Sequence, residues 1–265
     1  MITTVNMVSI RYEDGTYGKA YEKIGEFYNG YAIVMLNDKF GFINEKGVEI
    51  CPVKYDNVDH FENGFAGVKL NNQWGFIDET GKEICEIKYN SVKNFENGFA
   101  GVELNNQWGF IDETGKEICE IKYNYVVDFE NGFAKVELNN NWGLINETGK
   151  EICEIEYKHI SWIGEGLFRI ANFNLKFGII DKNGNKICPI KYNRIYDFKN
   201  GFAVVELINY YYNFINPKGK EICKKYYDKV WDFQNGFAKV CLDGKYGIIN
   251  ENGEEVVPPV LTENE

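Results

Sequence analysis

The side chains of this chain that could do chemistry recur at a fixed spacing and are not gathered into a single set. The acidic pair Asp78-Glu79 returns 34 residues later as Asp112-Glu113, each time just before a glycine of turn character. Catalysis requires one site with its own perturbed pKa values, whereas a carboxylate that recurs in each repeat is typical of a solvated turn. The sequence also lacks a phosphate-binding glycine loop and a G-x-S-x-G nucleophile motif. We therefore predict that the protein is not an enzyme.

The residue types that bind metals lead to a similar expectation. His60 and His159 are the only histidines, they belong to different repeats, and the sequence contains no C-x-x-C pair. Asn and Asp crowd the turns, where they make local hydrogen bonds. Neither a nonapeptide calcium repeat nor a helix–loop calcium motif occurs. We predict no metal site and no cofactor.

Six of the seven cysteines occupy one recurring position. We expect free thiols that serve as small core side chains. A ladder of disulfides would need Cα atoms within about 7 Å of each other, closer than sheets packed about 10 Å apart allow. The cysteines of this column are Cys51, Cys85, Cys119, Cys153, Cys188 and Cys223.

These recurring positions reflect an internal repeat. Residues 62–90 return as residues 96–124 with one change, Lys69 to Glu103. Self-similarity at a period near 34 residues is the signature of a repeat architecture. Seven repeats are present, and Asn213 holds the place of the recurring glycine in the sixth. The glycine of the Trp-Gly step falls at Gly41, Gly75, Gly109, Gly143, Gly178 and Gly247.

The pattern within one repeat is that of strands. Residues 65–70 alternate so that Ala66, Val68 and Leu70 share one face, residues 74–78 are aromatic and β-branched, and residues 83–89 alternate again. Asn and Gly between these segments tolerate the positive φ of tight hairpins. Each repeat is therefore predicted to be a three-stranded antiparallel meander, followed by an extended linker. We expect Cys85, Ile87 and Tyr89 on one side of the third strand, and Val92 and Phe95 buried by the linker.

The recurring segments NGFA-x-V, W-G-F-I-D, G-K-E-I and K-Y resemble those of the WG-repeat family of bacterial β-hairpin repeats. The resemblance covers roughly residues 25–258. It implies an all-β module that usually acts as a protein-interaction scaffold, and it supplies no general catalytic residues.

A repeat of this size cannot bury enough apolar surface alone, so neighbours must share a core. The predicted fold class is all-β: an elongated, curved, open array of seven three-stranded units, with a closed propeller-like ring as the alternative. A β-hairpin cap, residues 1–24, with a turn near Tyr12 to Gly15, would precede the repeats in 25–258. Pro258-Pro259 would end strand pairing, and residues 259–265 would form an acidic tail. The repeats are approximately 27–60, 61–94, 95–128, 129–162, 163–197, 198–232 and 233–258.

The charge of the chain predicts the kind of partner. The formal net charge is −11, with 40 acidic and 29 basic residues. Such a surface repels nucleic acid and attracts basic proteins, although it could also serve solubility alone. Two rows of aligned glutamates would carry this field. They are Glu83, Glu117 and Glu151, and Glu86, Glu120 and Glu154.

Departures from the repeat indicate where a partner would bind. The first hairpin of the fifth repeat carries Phe173 and Leu175, and that of the sixth carries Tyr210, Tyr211 and Tyr212, where other repeats have plain Asn-Asn-Gln. Clustered aromatic side chains anchor protein interfaces. The alternative is that these rings pack locally to close longer loops. Trp162 and Trp231 add aromatic bulk in the linkers.

The leading hypothesis is a non-catalytic scaffold that binds another protein. In its specific form, the protein is an acidic inhibitor that occludes a basic nucleic-acid-handling protein, as a toxin immunity protein or a phage-encoded inhibitor of an RNA-guided nuclease would. The alternative is a structural or cell-envelope repeat protein that binds carbohydrate or self-assembles. We expect a cytoplasmic monomer without membrane or direct nucleic-acid binding, since the sequence has neither a convincing signal peptide nor a long apolar run.

Overall fold

The computed structural model describes residues 7–11 and 15–262, and it confirms the all-β prediction. The secondary structure of these residues consists of antiparallel strands and one 3-10 turn, Ile208–Tyr210, without an α-helix. The chain divides into two compact bodies. The N-terminal body comprises residues 1–138 and 146–150, and the C-terminal body comprises residues 139–145 and 151–265.

The N-terminal body contains the cap and the first three and a half repeats. Its strands are β1 (Val8–Arg11), β2 (Tyr17–Tyr21), β3 (Lys23–Ile24), β4 (Tyr31–Leu36), β5 (Lys39–Asn44), β6 (Glu49–Tyr55), β7 (Asn57–Val58), β8 (Phe65–Leu70), β9 (Gln73–Asp78), β10 (Ser91–Val92), β11 (Phe99–Leu104), β12 (Gln107–Asp112), β13 (Tyr125–Glu130) and β14 (Phe133–Leu138).

The C-terminal body holds the remaining strands, apart from the last residue of β15, Asn146. They are β15 (Asn141–Asn146), β16 (His159–Trp162), β17 (Leu167–Ala171), β18 (Phe177–Asp181), β19 (Lys186–Tyr192), β20 (Arg194–Ile195), β21 (Ala203–Glu206), β22 (Tyr212–Ile215), β23 (Lys229–Val230), β24 (Phe237–Leu242), β25 (Lys245–Asn250) and β26 (Glu255–Leu261).

Each repeat begins with a strand that lies a few residues before the predicted start of the repeat. The repeats are therefore counted from these strands, at residues 23, 57, 91, 125, 159, 194 and 229. In the second repeat this strand is β7, and the sheet order is β7-β8-β9. The predicted hairpin is formed by β8 and β9, in which Val68 lies opposite Gly75. The short strand lies on the edge of the sheet, where Val58 pairs with Val68. The tandem array of small antiparallel units is therefore confirmed, and each repeat has a first strand that the sequence did not indicate.

The closing strand is regular in only some repeats. It is a full strand in the first, fifth and seventh repeats, as β6, β19 and β26. In the second repeat, residues 83–89 make only the isolated bridges Ile77↔Glu83 and Trp74↔Tyr89, and the third, fourth and sixth repeats behave alike. The prediction of a regular third strand there was wrong. The regular closing strands all contain proline, which holds the preceding residue in the extended region.

The prediction that Cys85, Ile87 and Tyr89 share one face was also wrong. Cys85 and Tyr89 pack with the core between the second and third repeats, whereas Ile87 packs with the core between the first and second. A Cβ on Gly75 would lie 2.9 Å from Ile87 Cγ1, so Ile87 crosses directly over the glycine of the Trp-Gly step. This close approach requires glycine and turns Ile87 away from its neighbours.

The hydrophobic core is shared between successive repeats, as predicted. One cluster joins Phe42 and Tyr55 of the first repeat to Phe61, Ala66 and Val68 of the second. An equivalent cluster joins the sixth and seventh repeats in the C-terminal body. Because each cluster draws side chains from two repeats, a single repeat could not bury its own apolar face.

Two recurring contacts fix one repeat against the next. The ring of Phe95, in the linker, is fully buried and lies 4.2 Å from Phe65 and 5.0 Å from Phe76 between ring centroids. The side-chain amide of Asn63 donates to the Phe95 carbonyl at 2.7 Å. A Cβ on Gly115 (φ +80°) would lie 2.0 Å from the Ile84 carbonyl oxygen, so the turn glycine of the third repeat abuts the backbone of the second.

The two ends of the chain differ in how well the sequence predicted them. Strands β1 and β2 form an antiparallel hairpin, and the buried Tyr21 packs with Ala32 and Val34 of the first repeat. The predicted turn residues Tyr12 to Asp14 lie outside the described residues. At the other end, β26 continues through Pro258 and Pro259 to Leu261, which pairs with Tyr246. The expectation that pairing ends at Pro258 was wrong, because a register shift accommodates both prolines.

All seven cysteines are free thiols, as expected. Cys51, Cys188 and Cys223 are buried, while Cys85, Cys119 and Cys153 are half-buried. Burial raises the pKa of the Cys153 thiol to about 11 and that of Cys223 to about 12. These thiols are protonated at neutral pH and are weak nucleophiles.

Candidate functional site

The first acidic row joins repeats to each other. Glu83 Oε1 accepts hydrogen bonds from the Lys54 ammonium at 2.8 Å and from the Tyr55 hydroxyl at 3.1 Å, both from the first repeat. Glu117 repeats the arrangement one repeat further on. The hydrogen bond from Lys54 holds the pKa of Glu83 below its usual value. Glu83 and Glu117 are thus engaged inside the chain, and this part of the predicted acidic surface is an internal ion-pair ladder.

The remaining predicted glutamates have exposed side chains. Glu120 lies 4.0 Å from Lys122, at the limit of an ion pair. The acidic field therefore rests mainly on the outward-facing members of the rows. These exposed glutamates are Glu86, Glu120 and Glu154 of the second row. Glu151, of the first row, is exposed as well but interacts with other residues of the chain.

The aromatic residues of the fifth repeat lie apart from one another. Phe173 and Leu175 are 59% and 63% exposed at the tip of a turn that the Leu175 N–H closes onto the Asn172 carbonyl. The Lys158 ammonium lies 5.6 Å from the centre of the Phe173 ring. Trp162, in β16, packs edge-on against Phe168 at 5.2 Å between ring centroids. Trp162 is accordingly part of its own sheet, while the tip points into solvent.

The lengthened hairpin of the sixth repeat presents tyrosines to solvent. Asn209 and Tyr210 have φ of +72° and +61°, so the chain turns sharply before β22. This leaves Tyr210 76% exposed and Tyr211 42% exposed. Tyr212 is different, because it begins β22 and bonds to the backbone of Tyr227. It holds the position that tryptophan occupies in the Trp-Gly step of other repeats.

Three of the predicted residues meet in one cleft of 510 Å³ between the sixth and seventh repeats, which we call the 6/7 cleft. Tyr210, Tyr212 and Trp231 line it, whereas Phe173, Leu175 and Trp162 lie elsewhere. Sequence reasoning missed its other aromatic wall, Tyr196, although Tyr196 and Trp231 occupy the same position in successive repeats. The lining residues are Tyr196, Val204, Tyr210, Tyr212, Asp228, Lys229, Val230, Trp231 and Asp232.

A smaller cleft of 280 Å³ lies at the equivalent place between the fifth and sixth repeats, and we call it the 5/6 cleft. Five of its lining positions correspond, at a spacing of 35 residues, to lining positions of the 6/7 cleft. The most consequential difference is at one of these positions, where Arg169 faces the smaller cleft and Val204 faces the larger. The lining residues are His159, Arg169, Phe177, Arg194, Ile195 and Tyr196.

The 6/7 cleft contains both signs of charge. Asp232 Oδ2 accepts from the Lys199 ammonium at 2.7 Å, and Asp228 Oδ2 accepts from the Asp243 N–H at 2.6 Å. The hydrogen bond to Asp232 raises the pKa of Lys199. Partial burial, together with the charge of nearby Glu206, raises the pKa of Tyr212. This phenol therefore stays neutral, and the cleft is an aromatic box with two carboxylates at its rim.

Other kinds of site receive no support from the described residues. Over residues 7–11 and 15–262, no group of three or more His, Cys, Asp or Glu side chains is placed to hold a metal ion. In the same part of the chain, no helix has the length and apolar character needed to cross a bilayer.

The shared cores, the recurring short strands and the clefts define a tandem β-repeat protein. The chain belongs to the WG containing repeat family, whose model matches eight segments and confirms the resemblance seen in the sequence. The seven positions of the Trp-Gly type separate these segments, and the first and last segments are shorter than a repeat. The matched residues are 19–40, 40–74, 74–108, 108–142, 142–171, 177–212, 214–246 and 246–263.

Solved structures with similar β-sheet arrangements are distant. BamB from Moraxella catarrhalis is 10% identical with a TM-score of 0.31, over 89% of this chain and 88% of that one. Hsv2 from Kluyveromyces lactis is 10% identical with a TM-score of 0.33, over 73% of each chain. A eukaryotic initiation factor is 10% identical with a TM-score of 0.39, over 86% of this chain and 84% of that one. No curated protein sequence matches the chain.

Proposed function

We propose that the protein is a non-catalytic scaffold that binds another protein through the 6/7 cleft and the tyrosine hairpin beside it. The observation that carries this proposal is the set of exposed rings at one place. Tyr196, Tyr210, Tyr211 and Trp231 are between 41% and 76% exposed. Tyr and Trp are the residues most enriched at the energetic centres of protein interfaces.

The proposed partner is a basic protein. The chain has a net charge of −11, which attracts a basic protein at long range, and two carboxylates lie at the rim of the cleft. A basic partner that handles nucleic acid would lose access to phosphate when the scaffold covers it. In this specific form the protein acts as an inhibitor, such as a toxin immunity protein or a phage-encoded inhibitor of an RNA-guided nuclease.

The test is capture of the partner from the native host by the intact protein and by a Tyr210→Ser/Tyr211→Ser variant. We expect the variant to lose capture while its free energy of unfolding changes by less than about 0.5 kcal/mol, because both rings are exposed. A matched control replaces Phe173 and Leu175 by Ser at the exposed hairpin of the fifth repeat. That control should retain capture.

Salt gives a second measurement on the same complex. Raising NaCl from about 50 mM to about 500 mM should weaken binding steeply, since screening shortens the range of the acidic field. Affinity that does not change with salt would contradict a basic partner. Capture that survives the double tyrosine substitution would contradict this binding surface.

A further inference from the structure

Two clefts between repeats elsewhere in the chain are occupied by the chain's own cations. Between the third and fourth repeats, the Lys93 ammonium donates to the Val126 carbonyl at 2.7 Å. The same nitrogen lies 3.7 Å from an Asp128 carboxylate oxygen and 4.8 Å from the centre of the Tyr125 ring. The lysine thus reaches from one repeat into a pocket of the next that consists of a carbonyl, a carboxylate and an aromatic face.

The 5/6 cleft has the same arrangement with a different cation. The Arg169 guanidinium donates to the Ile195 carbonyl at 2.5 Å and to Asp197 at 3.4 Å. Ile195 and Val126 hold equivalent register positions, one pairing with Val205 and the other with Val136. Two different side chains, Lys93 just after β10 and Arg169 within β17, therefore deliver a positive charge to the equivalent backbone acceptor.

The 6/7 cleft retains the acceptors, and Lys199 of the sixth repeat pairs with its carboxylate, but the two positions that carry a cation to the backbone carbonyl in the other clefts are uncharged. Val230 pairs with Val240 and corresponds to Ile195, and Asp232 corresponds to Asp197. The positions of Lys93 and Arg169 are taken by Tyr196 and Val204, neither of which carries a positive charge. The cleft is correspondingly larger, at 510 Å³ against 280 Å³.

The carboxylate and the cation vary together in other repeats of the N-terminal body. The position of Asp128 is His60 in the second repeat and Asn94 in the third. The preceding repeats then also lack the cation, with Gly25 and Asp59 at the position of Lys93. The 6/7 cleft differs from these neighbours because it retains the carboxylate, which Lys199 pairs at the surface, while no cation at the position of Lys93 or Arg169 reaches its backbone carbonyl.

We propose that the 6/7 cleft binds a lysine or arginine side chain of a protein partner, in the place that Lys93 and Arg169 take in the self-filled clefts. The ligand cation donates to the Val230 carbonyl, pairs with Asp232 and packs against Trp231 and Tyr196. This rests on the proposed function and adds the chemistry of recognition. Aromatic faces and a carboxylate together favour a cation over a neutral side chain of the same shape.

Three cations near the cleft do not prevent this binding. The Lys239 ammonium lies 5.2 Å from the centre of the Trp231 ring and 4.2 Å from that of Tyr246, so a ligand cation would share the Trp231 ring with it. Lys229 lines the cleft, but it corresponds to Arg194, which coexists with the Arg169 guanidinium in the 5/6 cleft. Lys199 pairs with Asp232 through an exposed ammonium. A ligand cation can share this carboxylate, or it can displace the lysine at small cost, because exposed ion pairs contribute little.

The test uses a five-residue peptide with one arginine between glycines, capped at both ends, and the same peptide with neutral citrulline. The lysine peptide and its norleucine counterpart form a second pair. Binding is followed by the indole N–H signal of Trp231 in the full chain, assigned with Trp231→Phe. We expect the cationic peptide of each pair to bind about tenfold more tightly than its neutral partner. Equal affinities would overturn the proposal.

The decisive variant is Val204→Arg, which supplies the 6/7 cleft with the cation that Arg169 supplies to the 5/6 cleft. It should abolish peptide binding without lowering the melting temperature. Conversely, Arg169→Val should create a second binding site in the 5/6 cleft. Undiminished peptide binding by the folded Val204→Arg variant would overturn the proposal.

Asp232→Asn keeps the shape of the cleft and should weaken the arginine peptide severalfold, with Asp128→Asn as a control without effect on it. An unchanged affinity in Asp232→Asn would count against the proposed ion pair. If the natural partner is lost in Tyr210→Ser/Tyr211→Ser but retained in Val204→Arg, the scaffold function stands and the cation cleft is wrong. If neither variant loses the partner, the proposed function itself fails.

Discussion

The second and third repeats and the sixth and seventh repeats are joined by the same contacts, although their exposed surfaces differ. Phe233 lies 4.4 Å from Phe202 and 4.9 Å from Phe214, close to the spacing of Phe95 from its two partners. Asn200 donates to the Phe233 carbonyl at 2.7 Å, as Asn63 does to Phe95. The contacts that join one repeat to the next are therefore the same in both pairs.

The surfaces beside these contacts differ between the two pairs of repeats. The second repeat has Asp59 and Gly67 where the sixth has Tyr196 and Val204, and the third has Lys93 where the seventh has Trp231. These positions lie at the mouths of the clefts, outside the ring and turn contacts that join the repeats. The comparison teaches that the fold depends on the buried positions, so that the cleft positions are free to become a recognition surface.

The largest expected effect tests whether the contacts in the two pairs of repeats are equivalent in energy. Phe95→Ala and Phe233→Ala each remove a fully buried ring and should each cost about 3–5 kcal/mol of stability. Urea unfolding of both variants gives the comparison. Costs that differ by more than about 2 kcal/mol would mean that similar geometry hides unequal packing.

A smaller expected effect distinguishes the cost of a left-handed backbone conformation from the cost of a collision between repeats. Gly98 and Gly115 both have positive φ, but a Cβ at Gly98 would meet only Glu113 Oε1 at 3.9 Å. Gly98→Ala should therefore cost about 1–2 kcal/mol, from the left-handed conformation alone. Gly115→Ala adds a collision with the Ile84 carbonyl and should cost clearly more in the same urea experiment. Equal costs would show that the turn glycine is needed only for its φ.

The ion-pair ladder predicts a pH dependence that is stronger in the sixth repeat. Burial raises the pKa of Glu221, but hydrogen bonds from Lys191 and Tyr192 outweigh it, and the pKa lies below its ordinary value of 4.5. A lowered folded-state pKa contributes stability that is present above 4.5 and is lost as the pH falls through the folded value. Glu221→Gln should lower the free energy of unfolding by about 1–3 kcal/mol at pH 7. On acidification the variant should lose less stability than the wild type.

Two controls refine this measurement. Glu117→Gln removes the corresponding carboxylate of the third repeat, which is more exposed than Glu221, so we expect a smaller cost. Glu86→Gln changes an exposed residue and should alter stability by less than about 0.5 kcal/mol. Acid unfolding that is identical in the Glu221 variant and the wild type would contradict the role given to the ladder.

Several features of the fold were predictable from local chemistry. The alternation of residues 65–70 identified β8 and its buried face, and the Asn and Gly positions identified the hairpins. The closing segments were not predictable in the same way. Which core the side chain of Ile87 joins depends on a glycine in another strand, over which Ile87 crosses, and period-two alternation does not record that contact.

Asn213 illustrates the same limit. The sequence shows only that an asparagine replaces the glycine of the Trp-Gly step. In the structure Asn213 is fully buried and satisfied, since its amide donates to the Cys223 carbonyl at 3.1 Å and its oxygen accepts from the Phe214 N–H at 2.7 Å. The sixth repeat has Lys225 where the second has Ile87, so the apolar side chain that requires glycine is replaced together with it.

The sequence alone determined the repeat, its register and its strands, because a period of 34 or 35 residues and the turn residues are local and recur many times. It also indicated that the aromatic hairpin of the sixth repeat differs from the rest. Only the tertiary structure decided which of those rings meet, that the Glu83 row is an internal ladder, and that the 6/7 cleft lacks the cation that Arg169 supplies to the 5/6 cleft. These properties depend on side chains from two repeats at once, and the distance between such side chains is set by packing rather than by their separation along the chain.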